Sequence, residues 1–261
     1  WQLTASPSGR PSHPLKPGYI SRSAAAHRHA LADALSLLML FAERAQSESV
    51  PPINPKLVYI YLISCIGCGL LLSTHIKQKE ACLVYAGQML YFAVNFYTNP
   101  QWNYPQWQRI MMSLRQFGCL GVYVMLAYVI DNKRSIQLRR IGEICLGLFL
   151  MSYVYLLNSV IQYKEAFYMH MLGGDGMRYL VALTLAGCAL SFFSGFFLRD
   201  MSICAAATLL LTTLSVDLDL SYWMSKNVHQ WNQIRQLMNN GCAIVGLFML
   251  FTTVDNRIKV D

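Results

Sequence analysis

Long apolar runs alternate with short polar connections along most of this chain. The runs fall at 30–42, 57–76, 81–97, 110–130, 141–161, 179–198, 201–220 and 237–254. A helix needs about 20 apolar residues to cross a bilayer core, and seven of the eight runs are close to that length. The first is short and contains Asp33. Lipid cannot satisfy an exposed strand edge or loop, so such runs must be helical. Barrel strands would instead alternate polar and apolar over roughly ten residues. The pattern therefore predicts an all-α, polytopic membrane helical bundle of eight transmembrane helices. Asn99-Pro100 stops the third run, Arg115 lies near one end of the fourth, and Glu143 lies near the start of the fifth.

Composition agrees with that reading. Charged residues make up 13% of the 261, against about 25% in soluble domains. Charge then orients the helices. If all eight runs span, one side collects thirteen Lys/Arg and the other seven. If the first run does not span, the counts become nine and eleven and the bias disappears. The positive-inside rule thus favours eight spans with both termini cytoplasmic. Trp102, Trp107, Trp223 and Trp231 fall on the opposite side, where amphipathic rings prefer the headgroup level. The net charge of +8 raises the question of nucleic acid, but no basic run with interleaved aromatics is present. We expect none. The expected partners are membrane lipids and proteins.

The two halves look alike. Gly67-Cys68 and Lys79-Glu80 parallel Gly187-Cys188 and Arg199-Asp200 at an offset of 120. Gln106-Trp107 and Gly118-Cys119 parallel Gln230-Trp231 and Gly241-Cys242 at offsets of 124 and 123. This reads as a tandem 4+4 repeat, with parallel halves because each holds an even number of helices. The first four-helix membrane repeat is 30–135 and the second 136–261. Residues 1–29, rich in Ser, Pro, Arg and His, read as disordered or as a gene-model artefact.

Candidate chemistry is sparse. Cys65 and Cys68 sit at i and i+3 on one helix face, the spacing of a thiol–disulfide pair. No nearby charge activates them, and all eight cysteines lie in or beside apolar runs as small packing residues would. Acidic residues in spans are functional candidates by default, which singles out Asp217 and Asp219. A two-residue spacing turns them about 200° apart on a helix, so they form no paired carboxylate site. An interfacial helix end is the blander reading of both. Arg115 could snorkel to the interface or bind a partner. Gln88, Asn95, Asn158 and His75 are more readily helix-joining hydrogen-bond groups than ligands. Gly67, Gly69, Gly118, Gly121 and Gly195 would let helices approach closely. Gly173-Gly174-Asp175-Gly176 reads as a turn, since no Lys or Ser/Thr follows in phosphate-loop order. No zinc spacing or nucleophile motif is found in the sequence, and no catalysis, cofactor or metal is expected.

One ordered set of residues resembles the transmembrane protein 101 family. It consists of Leu38-Met39-Leu40-Phe41-Ala42-Glu43-Arg44-Ala45, Gly173-Gly174-Asp175, Ser194-Gly195, Tyr222-Trp223 and Trp231-Asn232-Gln233. The resemblance covers about residues 36–256. It implies a multi-pass protein of about eight spans without assigned catalysis. It also implies a positive role in NF-κB signalling, and makes Glu43, Arg44, Trp223, Trp231, Asn232 and Gln233 candidate partner or structural positions. Each half also distantly resembles the DoxX-like four-helix membrane fold, which carries no function by itself. Three readings stand: a non-enzymatic protein acting through partners, a transporter, channel or lipid-handling protein, and a membrane thiol oxidoreductase.

Overall fold

The computed structural model describes residues 55–254 apart from 75–76, 100–103 and 132–133. It also places Ala32, Leu35, Ser36, Leu38 and Met39 in helix. The rest of the first apolar run, with Asp33, Glu43, Arg44, His75 and Trp102, lies outside the described residues.

Every regular element among the described residues is a helix. We number them α1 (Pro55–Thr74), α2 (Gln78–Thr98), α3 (Gln106–Ile130), α4 (Ile136–Ser159) and α5 (Ile161–His170). Then follow α6 (Gly174–Ser194), α7 (Leu198–Thr212), α8 (Leu220–Ser225) and α9 (Gln230–Val254). A π turn, Thr213–Asp217, continues α7. Five of these are long and apolar enough to cross a membrane: α3, α4, α6, α7 with its π turn, and α9. The outer faces carry what water would not tolerate. Leu183, Phe197 and Ile63 are 76%, 75% and 71% exposed, and lipid is the natural solvent for so continuous an apolar surface. The chain is thus a multi-pass membrane protein.

Packing follows chain order. α1 lies on α2 and α2 on α3; α6 lies on α7 and α7 on α9. α4 packs on both α3 and α6, and α3 and α9 cross each other at the centre. Two tight turns at the same end of the bundle are alike. Lys77 (φ 48°) precedes α2 and Phe197 (φ 53°) precedes α7, both left-handed. The end bearing these turns also carries Lys79, Arg134, Arg139, Arg140 and Arg199 and is called the basic end here. The opposite, aromatic end carries Tyr104, Trp107, Tyr222, Trp223 and Trp231.

Small residues set the closest approaches. A Cβ on Gly118 would meet the Phe149 ring at 2.9 Å, and one on Gly246 would meet Val122 Cγ2 at 2.2 Å. Gly121 is likewise closed off by Leu146. Gly67 departs from expectation, since a Cβ there meets nothing within 4 Å. Gly195 serves a different purpose, capping α6 with φ 84°, a conformation natural to glycine. The Gly173-Gly174 turn has φ of 106° and 54° and opens α6. There Asp175 sits in the first turn and pairs with Arg178 at 2.8 Å.

Several apolar-run boundaries shift; the run 179–198, for one, becomes α6 at Gly174–Ser194. α3 and α9 begin at Gln106 and Gln230, before the apolar runs at 110 and 237, because their polar first turns face the protein interior. α4 ends at Ser159, and the short α5 follows.

Candidate functional site

The crossing of α3 and α9 is lined by polar side chains. From α3 come Gln108, Arg115, Gln116 and Cys119; from α9 come Asn232, Gln233, Arg235, Gln236, Asn239 and Asn240. All are buried. Positions 232, 236 and 240 share one helix face at four-residue spacing, and 235 and 239 lie beside them. α9 therefore presents an amide-rich stripe to its neighbour while its other faces stay apolar.

Asp217 is the anchor of this seam. The π turn carries it inward, where it is fully buried. Its Oδ1 accepts from Arg115 Nη2 at 2.6 Å. Its Oδ2 accepts from Asn240 Nδ2 at 2.9 Å, Tyr153 O–H at 3.2 Å and Tyr163 O–H at 3.3 Å. Burying a carboxylate in an apolar medium is costly unless it is paired and hydrogen-bonded, and these four donors meet that demand. The Arg115 guanidinium carbon also lies 5.7 Å and 5.8 Å from the Tyr153 and Tyr163 ring centres, within cation–π range. The helix end leaves carbonyls without intrahelical partners. Trp223 Nε1 donates to Val216 O at 3.0 Å and Gln233 Nε2 donates to Asp217 O at 2.8 Å.

Beside this anchor, Gln116 links three helices. With its amide turned so that the nitrogen faces Met89 O of α2, it donates there and its oxygen accepts from Arg235 Nη2, each at 3.0 Å. Arg235 lies over the Phe92 and Phe96 rings, 5.8 Å and 5.2 Å from their centres. Cys119 Sγ approaches Asn239 O at 3.5 Å. The gap lined by Phe96, Met112, Gln116, Asn232, Arg235, Gln236 and Asn239 has no room for a water molecule. Some buried polar atoms still have no hydrogen-bond partner among the described residues. These include Arg115 Nε and Nη1, Asn232 Nδ2, Gln236 Oε1 and both polar atoms of Gln108.

Several sequence expectations change here. Arg115 does not snorkel; it points into the bundle because Asp217 waits there. Asp217 is fully buried rather than at a helix end facing the interface, and Asp219 is the N-cap of the short α8. The Asp219 carboxylate caps α8 through Ser221 N and Tyr222 N at 3.0 Å and 3.1 Å, and lies 3.3 Å from His170 Nε2. Trp223 is fully buried, between Trp107 and Tyr163, and does not sit at the headgroups. Trp231 is half-buried, while Asn232 and Gln233 line the seam. Asn158 Oδ1 accepts from Arg178 Nη1 at 2.7 Å, at the aromatic end. Asn95 is half-buried one turn before the end of α2. Neither of these two joins the Asp217 cluster. Cys65 and Cys68 are buried free thiols, and Cys65 Sγ lies 3.5 Å from Gln88 Oε1. Among the described residues, no group of three or more His, Cys, Asp or Glu could hold a metal ion.

The sequence reading missed Arg235, Gln236, Asn239 and Asn240. A signal was present: Leu114-Arg115-Gln116 recurs as Ile234-Arg235-Gln236, at an offset of 120 between flanking pairs offset by 124 and 123.

A model of the TMEM101 protein family matches residues 24–254. The chain belongs to this family. The match takes in every helix numbered above, so the TMEM101 assignment covers the seam and both crossing helices. No solved structure matches the chain.

The Asp219 cap gives a first prediction. The Ser221 hydroxyl, with the Tyr222 N–H, holds the Asp219 carboxyl below the usual carboxylate range. A lowered folded pKa means the cap stabilises above the unfolded carboxylate pKa and is lost as pH falls through the folded value. Asp219→Ala is expected to cost about 1 kcal/mol at neutral pH. The difference from wild type should fade on acidification below pH ~4. Melting curves in detergent at two pH values check both parts.

Proposed function

We propose that this chain is a non-catalytic protein of eight spans that acts through protein partners and feeds NF-κB signalling. Its spans form two four-helix halves, with both termini cytoplasmic. The single observation that carries the non-catalytic reading is the filled seam. Asp217 is saturated by four donors, and the adjoining gap admits no water. A carboxylate held this way is a structural anchor, since proton transfer needs a reachable partner group. The signalling label comes from the family resemblance. Support for two halves comes from the matching left-handed turns at Lys77 and Phe197, 120 residues apart, and from the parallel packing orders.

With its described seam filled, the protein would work through its ends. At the aromatic end, Lys226 and Glu165 pair at 2.8 Å across α8 and α5. At the basic end, Arg134 and Arg140 are exposed. Alanine replacement of these end residues, in sets, is expected to lower an NF-κB reporter at unchanged protein level. A reporter unmoved by every set would overturn the partner reading.

A small-solute pathway is the second reading, and the polar atoms left without partners in the seam favour it. Intramembrane polar groups at the interface between halves are where transporters bind. The seam would then be a closed state. Solute flux into proteoliposomes that is abolished by Gln116→Leu would replace the first reading with this one.

The redox reading predicts accessible thiols. We expect the opposite: a membrane-permeant maleimide should label half-buried Cys145 and Cys204 before Cys65 and Cys68. Faster labelling of Cys65 and Cys68 would favour thiol chemistry.

A further inference from the structure

A groove of about 510 Å³ runs down the lipid-facing side of the bundle between α2, α3 and α4. A second space of about 260 Å³ continues it and shares Tyr97, Ile110, Leu114 and Phe117 with it. Met151 and Tyr155 form the α4 wall. All of these residues lie in the half of the bundle nearer the aromatic end.

We propose that this groove binds a sterol, a flat amphiphile with a rigid apolar ring system and a single hydroxyl at one end. Four features define the ligand. First, the rim is exposed on the apolar surface, with Tyr97, Met151 and Tyr155 at 56%, 40% and 45%. A ligand therefore enters from lipid. Second, the polar groups of the floor are already engaged. Ser113 Oγ donates to Ala93 O at 2.8 Å and Ser152 Oγ to Phe149 O at 2.6 Å. Deep in the groove the ligand needs no polar atom.

Third, the hydroxyls of Tyr97 and Tyr155 make no hydrogen bond to the described residues, and both sit at the mouth near the aromatic end. They offer polar contacts at that end of the groove, where a ligand hydroxyl would be met. Fourth, the groove is short and is walled by three helices, α2, α3 and α4. Ile110 to Phe117 on α3 and Leu148 to Tyr155 on α4 each span about 10 Å. An extended acyl chain would overrun that length. A fused ring system fits it and loses little conformational freedom on binding. The site lies on the far side of α3 from the Asp217 side chain, so it is independent of the signalling reading.

The test uses the full chain in nanodiscs with a ring-diazirine sterol probe and mapping of labelled peptides. Label is expected within 110–117 or 148–155 and should be suppressed by excess cholesterol. An equal excess of oleoyl phosphatidylcholine should leave it unchanged. The double variant Tyr97→Phe with Tyr155→Phe should weaken labelling roughly threefold to tenfold, the effect of about one lost hydrogen bond. Leu114→Trp should abolish it by filling the groove. Label mapping elsewhere would overturn the proposal. So would equal competition by the phospholipid, which marks an acyl-chain groove, or an unchanged signal in the tyrosine variant. Elution as a single detergent-solubilised species confirms that each variant folds. If Leu114→Trp does not fold, the tyrosine variant decides.

Discussion

Arg115→Ala is expected to remove most of the folded protein. Asp217 would remain fully buried with its ion-pair partner gone, and breaking a buried pair from one side costs about 3–5 kcal/mol. That is a large part of a stability margin of about 5–15 kcal/mol. Tyr153, Tyr163 and Asn240 still donate to Oδ2, but none of them carries a positive charge. Asp217→Ala should be nearly as damaging, because it leaves a guanidinium among aromatic rings. Removing both charges together tells a different story. Arg115→Met with Asp217→Leu keeps the volume and leaves no buried charge, so much of the loss should return. Melting in detergent and steady-state abundance read all three variants. An Arg115→Ala protein that melts with wild type would show that the pair does not hold the bundle together.

The second large effect lies along the same crossing. A Cβ at Gly246 would fall 2.2 Å from Val122 Cγ2 and 2.9 Å from Val122 Cβ. Valine is stiff at χ1, so the helices must part. Gly246→Ala is expected to destabilise by about 1–3 kcal/mol. Gly241, five residues away on the same helix, has nothing within 4 Å of its Cβ position. There alanine should be neutral or stabilise by up to ~1 kcal/mol from helix propensity alone. Two glycines on one helix thus predict opposite signs. Val122→Ala removes both Cγ clashes but keeps Cβ at 2.9 Å, so it should rescue Gly246→Ala in part, and a double-mutant cycle on melting temperature measures that coupling. Equal effects at 241 and 246 would mean that α3 and α9 do not approach as closely as described.

The helical membrane character was legible because lipid allows few alternatives, and a run such as 179–198 reads the same in any context. The seam was harder to see. An apolar-run reading treats Gln230 to Gln236 as connecting sequence, since polarity there interrupts hydrophobicity. In the fold those residues form the first turns of α9, and their polarity faces another polar surface. The same confusion placed Asp217 at an interface. Its inward turn depends on the π segment, a departure from helical periodicity that residue type does not announce. Arg115 stood out as unusual, but its partner lies 102 residues away and no local rule connects the two. Asp219 was read at the outer end of the preceding run, whereas it caps the next helix through Ser221 N and Tyr222 N, a local pattern that the sequence does carry.

That long separation has a consequence for biosynthesis. Ribosomes add about 5–20 residues per second, so Arg115 waits roughly 5–20 s before Asp217 is even polymerised. Asn240, on the last helix, arrives later still. During that interval α3 holds an unmatched guanidinium, and burying it in lipid alone would be costly. The nascent chain is therefore expected to hold α3 in a hydrated site, or with Arg115 reaching the interface, until the C-terminal helices emerge. Truncation before residue 217 should then trap a species that is retained and degraded, although it contains several complete helices.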